Sequence, residues 1–402
     1  MISEPVAVTG LGAVTGFGFG VDSLWSGFCS GVTDIAEFGG DALFDPAAHR
    51  TSIASAVDLE LHRSLSRADC FAQSAAIEAV TQAFGSTEGL PRHAGVFFGS
   101  STGALLETER AYNRLLEGTR PILLRQLGTQ QHNGPGDTAA RTLGVHGPVV
   151  SVSSACASAT MALGAGLDAI RTGEADVVIA GGSDELSQIT YAGFNSLRAV
   201  AHEPTRPFRG DRGGLSLGEG AGVLVLERAE HARARGAAVI AWLAGAASSC
   251  DAHHMSSPLS DGSGAARAMR AALRDAGIDA DDVDFVNVHG TGTQQNDAAE
   301  WQAIRTVFGP RCSTIPITAT KSLIGHLLGA SGAVEAVGTA LCIRHELLPG
   351  APGGGAVDPE LPADLVLGEP RPVPGVRTGL STNLAFGGAN SVIVMMADEA
   401  DA

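Results

Sequence analysis

Two helical stretches that carry almost no charge constrain the fold of this chain more than any other feature. Residues 157–169 are Ala, Gly, Ser, Thr, Met and Leu with one acid, Asp168, and residues 327–343 repeat the style with Glu335. A helix apolar on every side belongs between layers, where small residues let neighbouring backbones approach closely. The flanking His326 and the internal Glu335 disfavour a membrane span. Around them, short β-branched runs alternate with helical segments, which indicates an α/β class. Strands are expected at 6–10, 95–99, 149–153, 176–181, 283–289, 314–318 and 391–395. Each chargeless helix is entered from a strand past a reactive residue, so the core reads as duplicated. The first half is placed at 1–250 and the second at 251–402, with a glycine-punctuated stretch at 211–220 and a basic helix around 227–235 between them.

Composition bounds what such a core can serve. A chain of 402 residues, 44% hydrophobic, buries a large interior, and 53 glycines with only 17% charged residues point to close packing and tight turns. A net charge of -17 argues against nucleic acid or an anionic membrane as partner. The six cysteines, at 29, 70, 156, 250, 312 and 342, lack CxxC spacing, so neither a disulfide framework nor a zinc site is indicated and a reducing cytoplasm fits. The N-terminus shows no basic segment followed by an apolar core, and no uncharged run reaches membrane-spanning length. The chain therefore reads as soluble and cytoplasmic.

Three further clusters join Cys156. The cysteine itself stands where a β-branched strand gives way to the first chargeless helix, and a helix N-terminus favours thiolate over thiol. Taken alone, it reads equally as a small buried hydrophobe. His289 ends a strand before Gly290 and Gly292, and Asp297 and Glu300 fall one helical turn apart in the following helix. That segment also reads as a capped helix start, and both readings are compatible. Lys321 lies five residues before His326 at the mouth of the second chargeless helix. His326 is either structural or a neutral imidazole whose Nε2–H donates to a developing oxyanion, since the helix dipole opposes a positive charge there. Phe386, followed by two glycines, is either a core anchor or an aromatic able to swing beside a pocket.

Ser-Ala-Cys156-Ala-Ser, Val-His289-Gly-Thr-Gly-Thr, Lys321-Ser-Leu-Ile-Gly-His326 and Phe386-Gly-Gly-Ala-Asn, in that order, resemble the signatures of β-ketoacyl-acyl-carrier-protein synthases, the condensing enzymes of the thiolase superfamily. The likeness extends through Ala180-Gly-Gly-Ser, Arg206-Pro-Phe, Gly218-Glu-Gly-Ala-Gly and Asp251-Ala-His-His-Met, and so covers nearly the whole chain. It implies a thiolase-like fold of two similar halves layered α-β-α-β-α, and the elongating subtype with two histidines. In that family Cys156 would take an acyl chain from the phosphopantetheine arm of an acyl carrier protein. His289 and His326 would stabilise the enolate formed as malonyl-carrier protein loses carbon dioxide, and the N–H groups of Cys156 and Phe386 would form the oxyanion hole. Lys321 would order the site with Glu300 as its partner, and Asp297, Thr291, Thr293, Asp251 and Asn390 would support it. No metal or redox cofactor is implied.

The implied partners are the acyl carrier protein and either a second copy or a chain-length factor. Arg63, Arg67, Arg120 and Arg125 are candidate cationic docking contacts, with solvated surface charge as the other reading. Relatives usually carry glycine at Ala385, often phenylalanine at Leu215, and a bulkier aliphatic residue lining the acyl pocket at Thr102; segment 126–133, expected near the dimer interface, is unusually polar. These departures suggest a type II polyketide or polyene synthase paired with a cysteine-less chain-length factor. A thiolase fits poorly because the last cysteine, Cys342, precedes the final strands. A non-catalytic chain-length factor would lack the nucleophile.

Overall fold

The computed structural model describes residues 4–38, 49–59, 65–118 and 131–398. Arg63, Arg120, Arg125 and residues 126–130 lie outside them. The first half contributes strands β1 (Val6–Thr15), β2 (Gly95–Gly99), β3 (Val149–Val152), β4 (Val177–Asp184) and β5 (Gly220–Glu227). The second contributes β6 (Ala241–Cys250), β7 (Phe285–Asn287), β8 (Pro316–Thr318), β9 (Thr378–Leu384) and β10 (Ala389–Met396). Across the first half the strands lie in the order β1-β5-β4-β2-β3, and across the second β6-β10-β9-β7-β8. The orders are the same once the numbering is offset, and so are the directions: antiparallel at the first two pairings and parallel at the last two.

The duplication reaches into local irregularities. β1 shifts register between Val8 and Gly10, and β6 shifts between Leu243 and Gly245. At each shift the glycine lets a helix backbone close in: a Cβ on Gly10 would lie 2.1 Å from the Ala79 carbonyl oxygen, and one on Gly245 2.6 Å from that of Ala272. The two halves meet where β1 pairs antiparallel with β6 at Val6–Leu243, Ala7–Trp242 and Val8–Ala241. The expected boundary at 250 thus falls at the end of β6, the strand that opens the second repeat.

Six helices complete the layers: α1 (Arg67–Phe84), α2 (Gly134–Leu143), α3 (Ser158–Arg171), α4 (Ser263–Ala276), α5 (Gln294–Phe308) and α6 (Ser331–His345). α1 covers β1, β5 and β4 from outside with α2 beside it, while α4 covers β6 and β10 with α5 beside it. α3 and α6 lie in the middle, each touching strands of both halves and each other. The order of layers is therefore α-β-α-β-α, the thiolase fold. The two chargeless stretches form its central layer, and every residue of α6 from Ser331 to Ile343 is buried.

Three of these strands, β5, β6 and β9, were not expected from the sequence. Gly220–Glu227 is buried along its whole length and pairs with both β1 and β4, so it lacks the alternation that marks a half-exposed strand. The 211–220 stretch runs into it and so leads into the core rather than merely separating the halves.

The central layer tolerates no added atoms. A Cβ on Gly222 would sit 2.5 Å from the Val334 amide nitrogen and 2.6 Å from the Ala333 carbonyl carbon, both backbone atoms of α6. Gly222→Ala is expected to cost about 3 kcal/mol in chemical denaturation. Gly193→Ala, at an exposed site in helix Gln188–Ser196 with nothing within 4 Å, should not destabilise and should gain up to about 1 kcal/mol.

Candidate active site

The position of Cys156 is fixed by a strained turn. After β3 the chain reverses at Ala155, whose φ of 45° places a non-glycine residue in the left-handed region. Ser158 holds that turn: its Oγ donates to the Ala155 carbonyl at 2.6 Å and accepts from the Ser154 N–H at 2.8 Å. Cys156 is thereby carried to the residue just before the helix N-cap, Ala157, facing the amino end of α3 without belonging to its first turn. A thiolate is not favoured here, contrary to the sequence expectation. Burial pushes the thiol up to about 11, outweighing the Lys321 charge and the Phe386 and Cys156 N–H groups that pull it down. The resting group is a thiol, and those two amides converge on its sulfur.

His289 and His326 complete the cluster. Their ligand-capable nitrogens and the Cys156 sulfur lie within 4.8 Å of one another, and the two rings meet edge to face with centroids 5.3 Å apart. His326 Nδ1 accepts the Leu328 N–H at 3.0 Å and lies 3.0 Å from Ser331 Oγ. A nitrogen that accepts an amide proton leaves the imidazole's own proton on Nε2. His326 Nε2 is buried, has no partner among the described residues, and its ring lines the cavity. Burial, followed by the Lys321 charge, holds both imidazoles well below the usual histidine range, so both are neutral near pH 7.

The supporting carboxylates are shared out differently from the expectation. Glu300 does not meet Lys321. It accepts from the His289 and Gly290 N–H groups at 2.7 and 2.9 Å and from Thr382 Oγ1 at 2.6 Å, clamping the histidine loop. Lys321, itself buried, pairs with Glu335 on the central helix α6. Glu335 also accepts from Asn383 Nδ2 at 2.6 Å, and that amide lies 3.5 Å from His289 Nδ1. Asp297 accepts from the Phe208 and Gly292 N–H groups at 2.8 and 3.1 Å, holding the turn on which Gly290 and Gly292 adopt φ of 40° and 77°. Sequence reasoning used Glu335 only to argue against a membrane span and passed over Asn383, because fourteen residues of chain separate Lys321 from its partner.

One cavity of about 440 Å³ opens onto the cluster. Cys156, His289, His326, Leu215 and Phe386 line it, as do Thr291, Thr293, Asp251 and Asn390. Phe386 is 37% exposed and leans on Phe194 at 5.5 Å between centroids. Gly387 and Gly388 behind it adopt φ of 83° and 79°. The Gly387 N–H donates to the Met255 carbonyl, and Asn390 Nδ2 donates to Asp251 at 2.8 Å, tying the phenylalanine loop to segment 251–258. Ala385 sits at φ −113°, open to any residue, so it adds no strain in this arrangement. Thr102 does not line the cavity; its hydroxyl donates to Asp184 at 2.9 Å.

Arg67 is not available for docking. Its guanidinium pairs with Glu219 and donates to the Val57 carbonyl at 2.7 Å, locking the start of α1 inward. The cation at the cavity mouth is Arg198, which sequence reasoning missed: it is exposed, has φ 55°, and makes no ion pair among the described residues. All six cysteines are free, and among the described residues no helix is long and apolar enough to cross a membrane.

A buried thiol, two neutral imidazoles and a pair of amide N–H groups meet at one cavity of a thiolase-like fold, an arrangement that suits acyl transfer through a cysteine. The family profile described as Beta-ketoacyl synthase, N-terminal domain, matches residues 3–232, and the C-terminal domain profile matches 240–353. A putative polyketide beta-ketoacyl synthase 1 of Streptomyces halstedii is 36% identical over 99% of each chain. A 3-oxoacyl-[acyl-carrier-protein] synthase 2 of Staphylococcus aureus is 33% identical, again over 99% of each. The solved ishigamide ketosynthase/chain length factor superposes with a TM-score of 0.92 at 32% identity, covering 98% of this chain and 100% of that one. The chain belongs to the β-ketoacyl synthase family.

The raised thiol gives a direct check. Below a pKa of about 11 the thiolate fraction grows tenfold per pH unit. Alkylation of Cys156 by iodoacetamide, read by peptide mass spectrometry, is expected to rise steadily from pH 7 to 9; a plateau below pH 8 would contradict the assignment.

Proposed function

We propose that the chain catalyses decarboxylative Claisen condensation between an acyl chain held on Cys156 and malonyl-acyl carrier protein. The observation that carries this reading is the buried, unpartnered Nε2–H of His326 facing the same cavity as Cys156 and His289. A buried donor without a partner costs about 1–3 kcal/mol, so the site is built for an acceptor that arrives with substrate.

In the first half-reaction the Cys156 sulfur bonds to the acyl carbon, and the carrier's thiol leaves with the proton the cysteine gives up. The N–H groups of Cys156 and Phe386 receive the tetrahedral oxyanion. In the second, the malonyl thioester carbonyl accepts hydrogen bonds from the two imidazoles. The bond to the carboxylate breaks, carbon dioxide departs, and the electron pair is held as an enolate. That carbon attacks the acyl-cysteine, and the sulfur leaves as a thiolate that takes a proton from solvent and returns to the resting thiol. Neutral imidazoles suit this step because each offers an N–H without repelling the Lys321 charge nearby. No metal is required, and the tautomer of His326 supports this: with Nδ1 accepting the Leu328 N–H, Nε2 carries a proton and offers no lone pair to an ion.

Arg198 at the mouth is the cation best placed to meet an acidic carrier. Leu215 in the cavity wall leaves more room than phenylalanine would. Free cysteines throughout fit a reducing cytoplasm.

A second reading is that the active species is a heterodimer with a chain-length factor in polyketide synthesis. β3 is a sheet-edge strand with Val149 42% exposed, and helix Leu105–Glu117 exposes Tyr112, Leu115 and Leu116. Among the described residues that edge pairs with no further strand, and an unpaired edge together with exposed apolar side chains calls for a partner. The polyketide relative and the ketosynthase/chain length factor neighbour favour a non-identical one. Light scattering with a condensation assay decides: full activity as a homodimer removes this reading, whereas activity only with the added factor supports it.

Cys156→Ala is expected to lower condensation by at least about a thousandfold while malonyl decarboxylation persists. Because both histidines titrate well below 6.5, their neutral form survives as pH falls through that value. Decarboxylation by Cys156→Ala should therefore stay level from pH 8 to pH 6. A fall with a midpoint near 6.5 would count against neutral donors, and normal condensation by the variant would remove Cys156 as nucleophile.

A further inference from the structure

Asp184 is the last residue of β4, fully buried, and lies outside every motif that identifies the family site. Its carboxylate gathers donors from two distant segments. From the loop after β2 come the hydroxyls of Ser100, Ser101 and Thr102 at 2.6, 2.6 and 2.9 Å, and the N–H groups of Ser101 and Thr102 at 2.9 and 3.0 Å. From the other half of the molecule comes the Gly329 N–H at 2.6 Å. Ser101 Oγ reinforces this last tie by accepting the same N–H at 3.1 Å. The fit is close: a Cβ on Gly329 would lie 2.6 Å from Asp184 Oδ2.

Gly329 follows Leu328, which has φ 54° although it is neither glycine nor asparagine. A buried leucine holds that conformation only when its neighbours over-determine it. The strained turn has one chemical consequence: it aims the Leu328 N–H at His326 Nδ1. That bond keeps the imidazole proton on Nε2, facing the cavity. The anchor belongs to the first half, while the turn and the histidine belong to the second. We propose that Asp184 is a positioning residue which, by holding Gly329 and hence the Leu328 turn, fixes His326 as the Nε2–H tautomer. The link from tautomer to rate rests on the reading of His326 as donor to the malonyl carbonyl; the tautomer itself does not.

Asp184→Asn keeps the shape but turns one acceptor into a donor amid a ring of donors. The test uses the full-length protein with ¹⁵N-labelled histidine, the His326 signals being assigned with His326→Gln. The parent should show His326 Nδ1 as an acceptor and Nε2 protonated, and the variant a mixture of tautomers. On a Cys156→Ala background, Asp184→Asn should lower malonyl decarboxylation at least tenfold. With Cys156 present, Ser101→Ala, which keeps the Asp184 charge that raises the thiol, should leave its alkylation by iodoacetamide within twofold of the parent, which a general loosening of the site would not allow. Should Asp184→Asn fail to fold, Ser101→Ala weakens the same tie and should shift the tautomer while lowering decarboxylation about threefold. An unchanged tautomer with decarboxylation within twofold of the parent, in whichever of these variants folds, overturns the proposal. A parent that does not decarboxylate malonyl thioesters breaks the functional reading instead and leaves the tautomer result standing.

Discussion

The structure depends on two helices with nowhere polar to go. α3 and α6 are pressed between the two halves of one continuous sheet, and glycines at the contacts, such as Gly222 against Val334, let backbone touch backbone. Because the halves share one strand order, the entry to α3 and the approach to α6 are corresponding points of the repeat. Cys156 stands at the first and His326 at the second. Duplicating a scaffold has thus brought a thiol and an imidazole N–H to the same cavity, while the loop after β7 adds His289.

Burial then sets the chemistry. It raises the thiol of Cys156 and keeps both imidazoles neutral, and the Lys321 charge acts on all three. An unpaired ammonium this deep would cost more than the site could sustain, and Glu335 answers it from α6. The same pair links through Asn383 toward His289, so the charge that tunes the histidines also belongs to the frame that holds them.

Much of this was legible in the sequence because the decisive signals are local. The central helices announce themselves by missing charge, and Cys156, His289, His326 and Phe386 each sit in a short motif whose order identifies the family. The layered fold followed from those. What stayed hidden depends on contacts between segments far apart in sequence. Glu300 was the plausible partner of Lys321 by proximity to the histidine motif, yet the folded chain gives that role to Glu335. Arg67 reads as a surface cation at a helix start, but Glu219 arrives from β5's approach and draws it inward. Thr102 turns to Asp184 instead of the cavity, and the strand Gly220–Glu227 was masked because burial on both faces erases alternation.

The central claim is that Cys156 holds the growing chain in the cavity it shares with the two histidines. Intact-mass analysis after incubation with a panel of acyl-acyl carrier proteins tests it most directly. The account predicts one acyl adduct per chain, mapped to Cys156, lost in Cys156→Ala and discharged on adding malonyl-acyl carrier protein. Acylation of another residue, or an adduct on Cys156 that malonyl-acyl carrier protein leaves untouched, would contradict it.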